Sequence, residues 1–524
     1  MKMNFKKATL IAVLLASFGV AGATKANADV IDAPGSAGSI KTVDAGNVLT
    51  DYNDNSLNQV ENDSPTGNKD RKYSKYKLDS TGYNYANTYK TIDGSSQTNS
   101  FSTKWFLPDG FNVSNYQHGN FQSVALDNEN NIYFVESNGT NTNKGAIVKF
   151  DRAKLDSLGV NADVTLLWKA FDYFDPYTAD GLAHNQEYDK YYFSMQDDFD
   201  AIKSLTNTLN KQKSYQNNQL NWQKNAQKWY YYWKNKKKTY QKKVTSKKTS
   251  VKTKTAAKKV VKQATTKMAS WMKSYQGHKT KVKNYDTKIA GIQSQIDDHQ
   301  SKVDAVKSQN PEMFKYVDIA QSATLSPQVT IGHGQTLTFN PENQHLYLAE
   351  DNTLSDLKSD ENNVVMEIDP NTLKPIRQYE FKMLHNTDSG QKNLQLHTLA
   401  FDEDGNAYWG RKNGKGYMFF YGRLDEHSVK FSASSSIVAN RGGDANQFVA
   451  VNPATNRLTF VSDDILTSVP VDKIQKGNFK ASDINYQVFD SKREFEGLAF
   501  DQDGYGYLLA LWPPELLVSD QPLN

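Results

Sequence analysis

The sequence predicts a mainly β protein: a five-bladed β-propeller interrupted by a long antiparallel α-helical, coiled-coil hairpin. Three observations carry that expectation. A strand–turn–strand unit recurs five times; a lysine-rich stretch between the first two units runs in heptads; and the chain is long and polar, with 524 residues and no cysteine. That length suits two to four structural units. Zero Cys excludes a disulfide scaffold, a thiolate metal site and a thiol nucleophile. A mean hydropathy of −0.71 excludes a polytopic membrane protein.

At the N-terminus, Lys2, Lys6 and Lys7 precede the apolar run Ala8–Ala23, and Ala26-Asn27-Ala28 has the form of a cleavage site. A charged start, short apolar core and small-residue exit predict a secretory signal over 1–28. An exported chain without Cys points to a Gram-positive cell, which has no periplasm dedicated to disulfide formation. Residues 29–100, dense in Asn, Asp, Ser, Thr, Gly and Tyr, read as a low-complexity linker.

The propeller is expected over 101–200 plus 311–524. Gln122-Ser-Val-Ala-Leu-Asp127 leads through a turn to Ile132-Tyr133. Gln335-Thr-Leu-Thr-Phe-Asn340, His397-Thr-Leu-Ala-Phe-Asp402, Gln447-Phe-Val-Ala-Val-Asn452 and Glu496-Gly-Leu-Ala-Phe-Asp501 repeat the pattern. Each is an apolar strand, a tight Asp/Asn/Gly turn and an aromatic-bearing strand, often followed by a third, such as Val364–Asp369. Such all-β repeats read as propeller blades. The run Phe101–Val113 is placed to supply a strand closing the ring with the last blade. Asp402-x-Asp-Gly and Asp501-x-Asp-Gly lack the twelfth-position acid of a calcium loop, which leaves hairpin-turn chemistry.

Residues 201–310 form the inserted hairpin. They hold 26 Lys, no Arg and four acids, a net +22, while the rest of the mature chain sums to −22. Val261, Met268, Tyr275, Val282, Ile289, Ile296 and Val303 recur every seven residues, with Ala264, Trp271, His278, Tyr285, Ile292, His299 and Val306 at the matching positions. Seven such heptads predict a coiled-coil seam. The preceding half offers Tyr215, Trp222 and Trp229 with Gln219, Ala226, Trp233 and Tyr240 as its seam. Arms of about 45 residues would reach ~65 Å at 1.5 Å per residue.

Lys234, Lys236, Lys237, Lys238, Lys242, Lys243, Lys247, Lys248, Lys252, Lys254, Lys258 and Lys259 crowd the tip without acids at i,i+4. Their mutual repulsion points to an anionic partner: wall polymers or lipid head groups outside a Gram-positive cell. Absence of Arg and export argue against specific nucleic-acid recognition. Pairing of two hairpins between molecules is a further partner left open.

Aligned repeats expose one polar position, Gln122, Gln335, His397, Gln447 and Glu496, at the start of each innermost strand, with His118, His333 and Glu494 nearby. Converging around a channel, these side chains either tie blades together or bind a small polar ligand. Glu496 and Glu494 are the only candidates for a carboxylate pair in glycoside hydrolysis. No nucleophile elbow, zincin motif or P-loop is present, so no cofactor or metal is expected.

At His333-Gly-Gln-Thr-Leu-Thr-Phe339, Phe121–Tyr133 and the Glu496 repeat, the sequence resembles the helveticin J family, secreted bacteriocin-like proteins of lactobacilli. The resemblance implies a large, heat-labile antibacterial protein, or a relative retained at the surface layer with a structural or adhesive role and a surface-layer protein as partner. The lysine hairpin and N-terminal stretch look like additions to that plan. No covalent anchor motif occurs in Glu515–Asn524, so non-covalent attachment to the cell surface is expected. The readings left open are an envelope-binding antibacterial protein, a non-toxic surface-layer protein and a wall-glycan hydrolase.

Overall fold

The computed structural model describes residues 40–64, 86–111, 118–139, 143–175, 178–351 and 355–524. The signal-peptide reading of 1–28 lies outside them. Many strands in antiparallel sheets and one long helical region make up the fold. The chain divides into two compact units, Met1–Asn185 with Lys315–Asn524, and Gln186–Phe314.

In the first unit, each expected repeat opens a sheet. The opening strands are His118–Leu126, Thr338–Asn340, Ala400–Phe401, Phe448–Asn452 and Glu494–Phe500, each paired antiparallel with the strand after its turn. Every opening strand lies beside that of the next sheet, and the fifth beside the first. Strands such as Ile132–Asn138 are buried on both faces, as their continuous apolar runs require. Ile132 and Phe134 join a core shared with the fifth sheet, whereas Tyr133 and Val135 join one shared with the second. Three further cores fill the remaining gaps between consecutive sheets.

The turns repeat in detail. Asp127 Oδ1 accepts from the Glu129 and Asn131 amides while Oδ2 accepts from the Tyr133 hydroxyl. Asp402 does the same with Asp404, Asn406 and Tyr408. Asn130, Gln344, Gly405, Asn456 and Gly504 occupy one turn position with φ between 49° and 85°, where Gly and Asn are least strained. These carboxylates are engaged in hairpin turns.

The fourth strand of the fifth sheet is Ser100–Phe106, antiparallel to Glu515–Ser519, so the N-terminal run completes the C-terminal sheet as the sequence suggested. The linker reading of 29–100 needs correction. Lys41–Asn47, Leu49–Thr50 and Asn58–Val60 add parallel edge strands to the second and third sheets, and Thr88–Lys90 extends the fifth. His385 clasps the stretch between Leu49–Thr50 and Asn58–Val60, its Nδ1 3.1 Å from Asp51 and its Nε2 3.2 Å from Asp54, with its ring stacked on Tyr52. Edge strands facing water need no alternating apolar pattern, so their composition reads as linker.

The insertion falls between the first and second repeats, as expected, but the chain leaves the first sheet after Lys144–Phe150 and returns as Ala323–Leu325 paired with that same strand, so the insertion lies inside the first sheet. Its helices, Ala179–Thr245 and Val251–Lys307, run 67 and 57 residues. The first begins well before the expected boundary at 201, and both exceed the expected arms of about 45 residues.

Within Gln186–Phe314 the two arms are antiparallel: Asp198 meets His299, Gln219 meets His278 and Trp229 meets Trp271. On the returning arm every expected seam position is buried or half-buried, and most other positions are exposed. On the outgoing arm the seam is Gln216, Gln219, Gln223, Ala226, Tyr230, Trp233, Lys237 and Tyr240. Tyr215, Trp222 and Trp229 lie outside it, on one flank. The expectation followed hydrophobicity, but the seam register follows the partner arm, and glutamines occupy it.

Candidate functional site

Two clusters concentrate unusual polarity. In the first unit, Gln335 Nε2 donates to Gln447 Oε1 at 2.6 Å and to Glu496 Oε2 at 3.0 Å. Three opening strands are thereby joined. Gly334, at φ 89°, carries this loop against Gln122; a Cβ there would sit 3.2 Å from the Gln122 Cβ. His397 is buried with Nδ1 2.9 Å from Asp351 Oδ1, so it pairs with a neighbour rather than joining Gln335. Among the described residues, buried Gln122 Oε1 and Asp351 Oδ2 have no hydrogen-bond partner.

His118 packs beside Gly110. The His333 side chain is exposed, and its backbone amide donates to the Asp351 carbonyl at 2.5 Å. Among the described residues, no group of three His, Cys, Asp or Glu could hold a metal ion.

Glu496 is 3% exposed. Burial pushes its carboxyl well above the usual range, and the Glu494 and Asp463 carboxylates push in the same direction against the Gln335 hydrogen bond. Glu494 accepts from Trp512 Nε1 at 2.6 Å. The pair is thus enclosed, Glu496 by burial and Glu494 by the Trp512 indole. Asp351, Asp463 and Glu350 escaped the sequence reading. Burial raises Glu350 to about 7, with Glu380 adding to the effect. All three follow second strands, and antiparallel pairing brings the ends of those strands beside the starts of the first ones. Carrying that register through the repeats would have found them.

At the other end of the opening strands, a shallow depression is lined by residues of all five, including Val124, Phe339, Phe401, Val449 and Leu498. Its polar rim includes Asp127, Asp402 and Asp501, whose carboxylates hold their own turns.

The second cluster is cationic. Among the described residues, none of the twelve lysines singled out from Lys234 to Lys259 makes an ion pair. Nine are exposed, and Lys236, Lys237 and Lys254 are half-buried. Aromatic faces take some of the charge: Lys234 lies over Tyr231, Lys236 over Trp233 at 4.8 Å and Lys243 over Tyr240 at 4.8 Å. In the first unit, by contrast, Arg377, Arg411, Arg423, Arg441 and Arg493 each face a carboxylate. No helix among the described residues is long and apolar enough to cross a membrane.

No family model matches the chain, and no curated protein matches it. Among solved structures, a protein from Lactobacillus plantarum, a structural-genomics target, is similar over 29% of this chain and 43% of that one. The identity is 10% and the TM-score 0.18. The match spans less than half of that protein's chain, and a likeness at this level bears on neither fold nor function.

Proposed function

We propose that this is a secreted cell-envelope-binding protein whose hairpin engages an extracellular polyanion. The carrying observation is the set of twelve lysines without a carboxylate partner. Like charges at this density repel, and an anionic polymer relieves the repulsion while releasing counterions. The first unit is read as a five-bladed propeller resembling the helveticin J family. Five sheets, opening strands adjacent in a cycle and a core in each gap support that reading. An antibacterial action on related bacteria, or a non-toxic role at the surface layer, follows from the resemblance alone.

Retention on Gram-positive cells tests the proposal. The protein should elute as salt approaches 1 M, where the Debye length is ~3 Å. Replacing Lys236, Lys238, Lys242, Lys243, Lys247 and Lys248 with Gln should abolish retention at low salt. Retention indifferent to both would overturn the reading. A clearing assay on lactobacilli then separates killing from adhesion.

A second reading concerns the polar cluster. The buried, unpartnered Gln122 Oε1 and Asp351 Oδ2 favour a small ligand bearing hydroxyl or amine donors. Thermal shift against free sugars and polyols checks it, with Gln122→Leu expected to abolish any shift; a shift unchanged in that variant counts against the reading.

A further inference from the structure

We infer that the flank of the hairpin carrying Tyr215, Trp222 and Trp229 is a sugar-stacking face, and that the bound polyanion is a linear anionic polysaccharide. The inference rests on the polyanion reading above and names its ligand class.

These three rings are 51%, 54% and 39% exposed. Water disfavours so much apolar area, and three large exposed rings aligned on one row of the helix mark a contact surface. The rings are also held in place. Tyr215 leans on Tyr285 at 6.3 Å, Trp222 on His278 at 5.4 Å, and Trp229 stacks on Trp271 at 6.0 Å and 18°. Each bracing ring is a seam residue of the returning arm, so the exposed rings are already ordered before anything binds.

Three residues beyond each ring, on the adjoining row of the helix, stand Asn218, Asn225 and Tyr232, all exposed. The Asn218 and Asn225 amides are bonded to no other described residue. An amide both donates and accepts, as neighbouring hydroxyls of a sugar do. The row of rings, Tyr215, Trp222 and Trp229, continues at the same spacing into Lys236 and Lys243. On the returning arm, Lys267 and Lys281 precede the bracing Trp271 and Tyr285 by four residues. Rings, amides and cations thus share one flank.

Geometry separates the polyanions. Seven helical residues place successive rings about 10.5 Å apart, the scale of a disaccharide, but about three steps of a nucleic-acid strand at ~3.4 Å each. Successive bases could not use successive rings. A bilayer would touch one side of the tip, yet Lys234 and Lys238 lie about 160° around the helix from Lys236. A flexible chain can follow both the flank and the tip.

The test uses the full chain at low salt with three probes: hyaluronan, sugar-free polyphosphate and oligo(dT), followed by tryptophan fluorescence. Hyaluronan should bind, and Trp222→Ala/Trp229→Ala should weaken it at least about tenfold while leaving polyphosphate within about twofold. Trp222→Phe/Trp229→Phe should restore hyaluronan binding, and circular dichroism should show unchanged helix in both variants. Equal effects on hyaluronan and polyphosphate, or none on either, would overturn the sugar-stacking face while leaving the polyanion reading intact. So would ring-dependent binding of oligo(dT) tighter than that of hyaluronan. Failure of all three probes to bind would sink the polyanion reading itself.

Discussion

Glu496 shows how a repeated sequence position becomes a physical singularity. Its four counterparts are Gln or His; Glu496 is the one carboxyl among the five repeat openers, and it is buried. Its native pKa is raised well above the ordinary 4.5 by burial first, and then by Glu494 and Asp463. The folded state therefore binds this proton more tightly than the unfolded state does. Its contribution to stability is greatest in acid and is lost as pH rises from about 4.5 toward the native value. Glu496→Gln keeps the shape and cannot ionise. Its melting temperature, relative to wild type, should thus climb between about pH 5 and pH 8; parallel pH profiles would refute the assignment. Clearing or retention by the same variant should match wild type, whereas loss of clearing would revive the hydrolase reading. The five polar openers were legible because aligned repeats expose them. Asp351 and Asp463 were not, because only strand pairing brings them to the cluster.

At the scale of the element, the hairpin is a stack of complementary layers. The Gln219–His278 and Asp198–His299 contacts, at 2.7 and 2.6 Å, define the register. Carried along both arms, it sets Ala226 level with Trp271, Trp233 with Ala264 and Tyr240 with Ala257, large against small. Nearer the base, Leu209 stands level with Ile289 and Met195 with Val303, while the tip is polar and cationic. Trp233→Ala should therefore destabilise the hairpin by about 3 kcal/mol, seen as a lower helix melt by circular dichroism. The swap Trp233→Ala/Ala264→Trp should recover most of that loss, because layer volume is conserved; no recovery would refute this register. The returning arm's seam was legible because its aliphatic residues keep strictly to heptad positions. The outgoing arm was misread because two registers share Gln219, Ala226, Trp233 and Tyr240, and its aromatic residues favour the wrong one.

For the whole molecule, stability of the β unit depends on joining the two ends of the chain. Arg493 and Glu515, both buried, pair at 2.8 Å. Arg493 also donates to the Leu511 carbonyl at 2.7 Å and the Tyr89 hydroxyl at 3.0 Å, while Asn87 and Thr103 donate to Glu515. Residues 87–103 are thereby fastened to 493–515 across almost the entire sequence. Glu515→Ala would strand a buried guanidinium, at a cost of about 3–5 kcal/mol, measured by denaturant unfolding with tryptophan fluorescence. A loss below about 1 kcal/mol would mean that the strand pairing alone holds the ends together.

Read by itself, the sequence determined what local periodicity can encode: five strand–turn–strand repeats, a heptad seam on the returning arm, and the segregation of lysine into one segment. Each pattern is written in residues close together along the chain. Tertiary structure decided which faces those elements present to one another. It moved Tyr215, Trp222 and Trp229 to an exposed flank, drew strands from 41–60 and 88–90 onto sheet edges, and placed the insertion inside the first sheet. These outcomes depend on hydrogen bonds and packing between residues tens to hundreds of positions apart, and no local pattern specifies which distant partner supplies them.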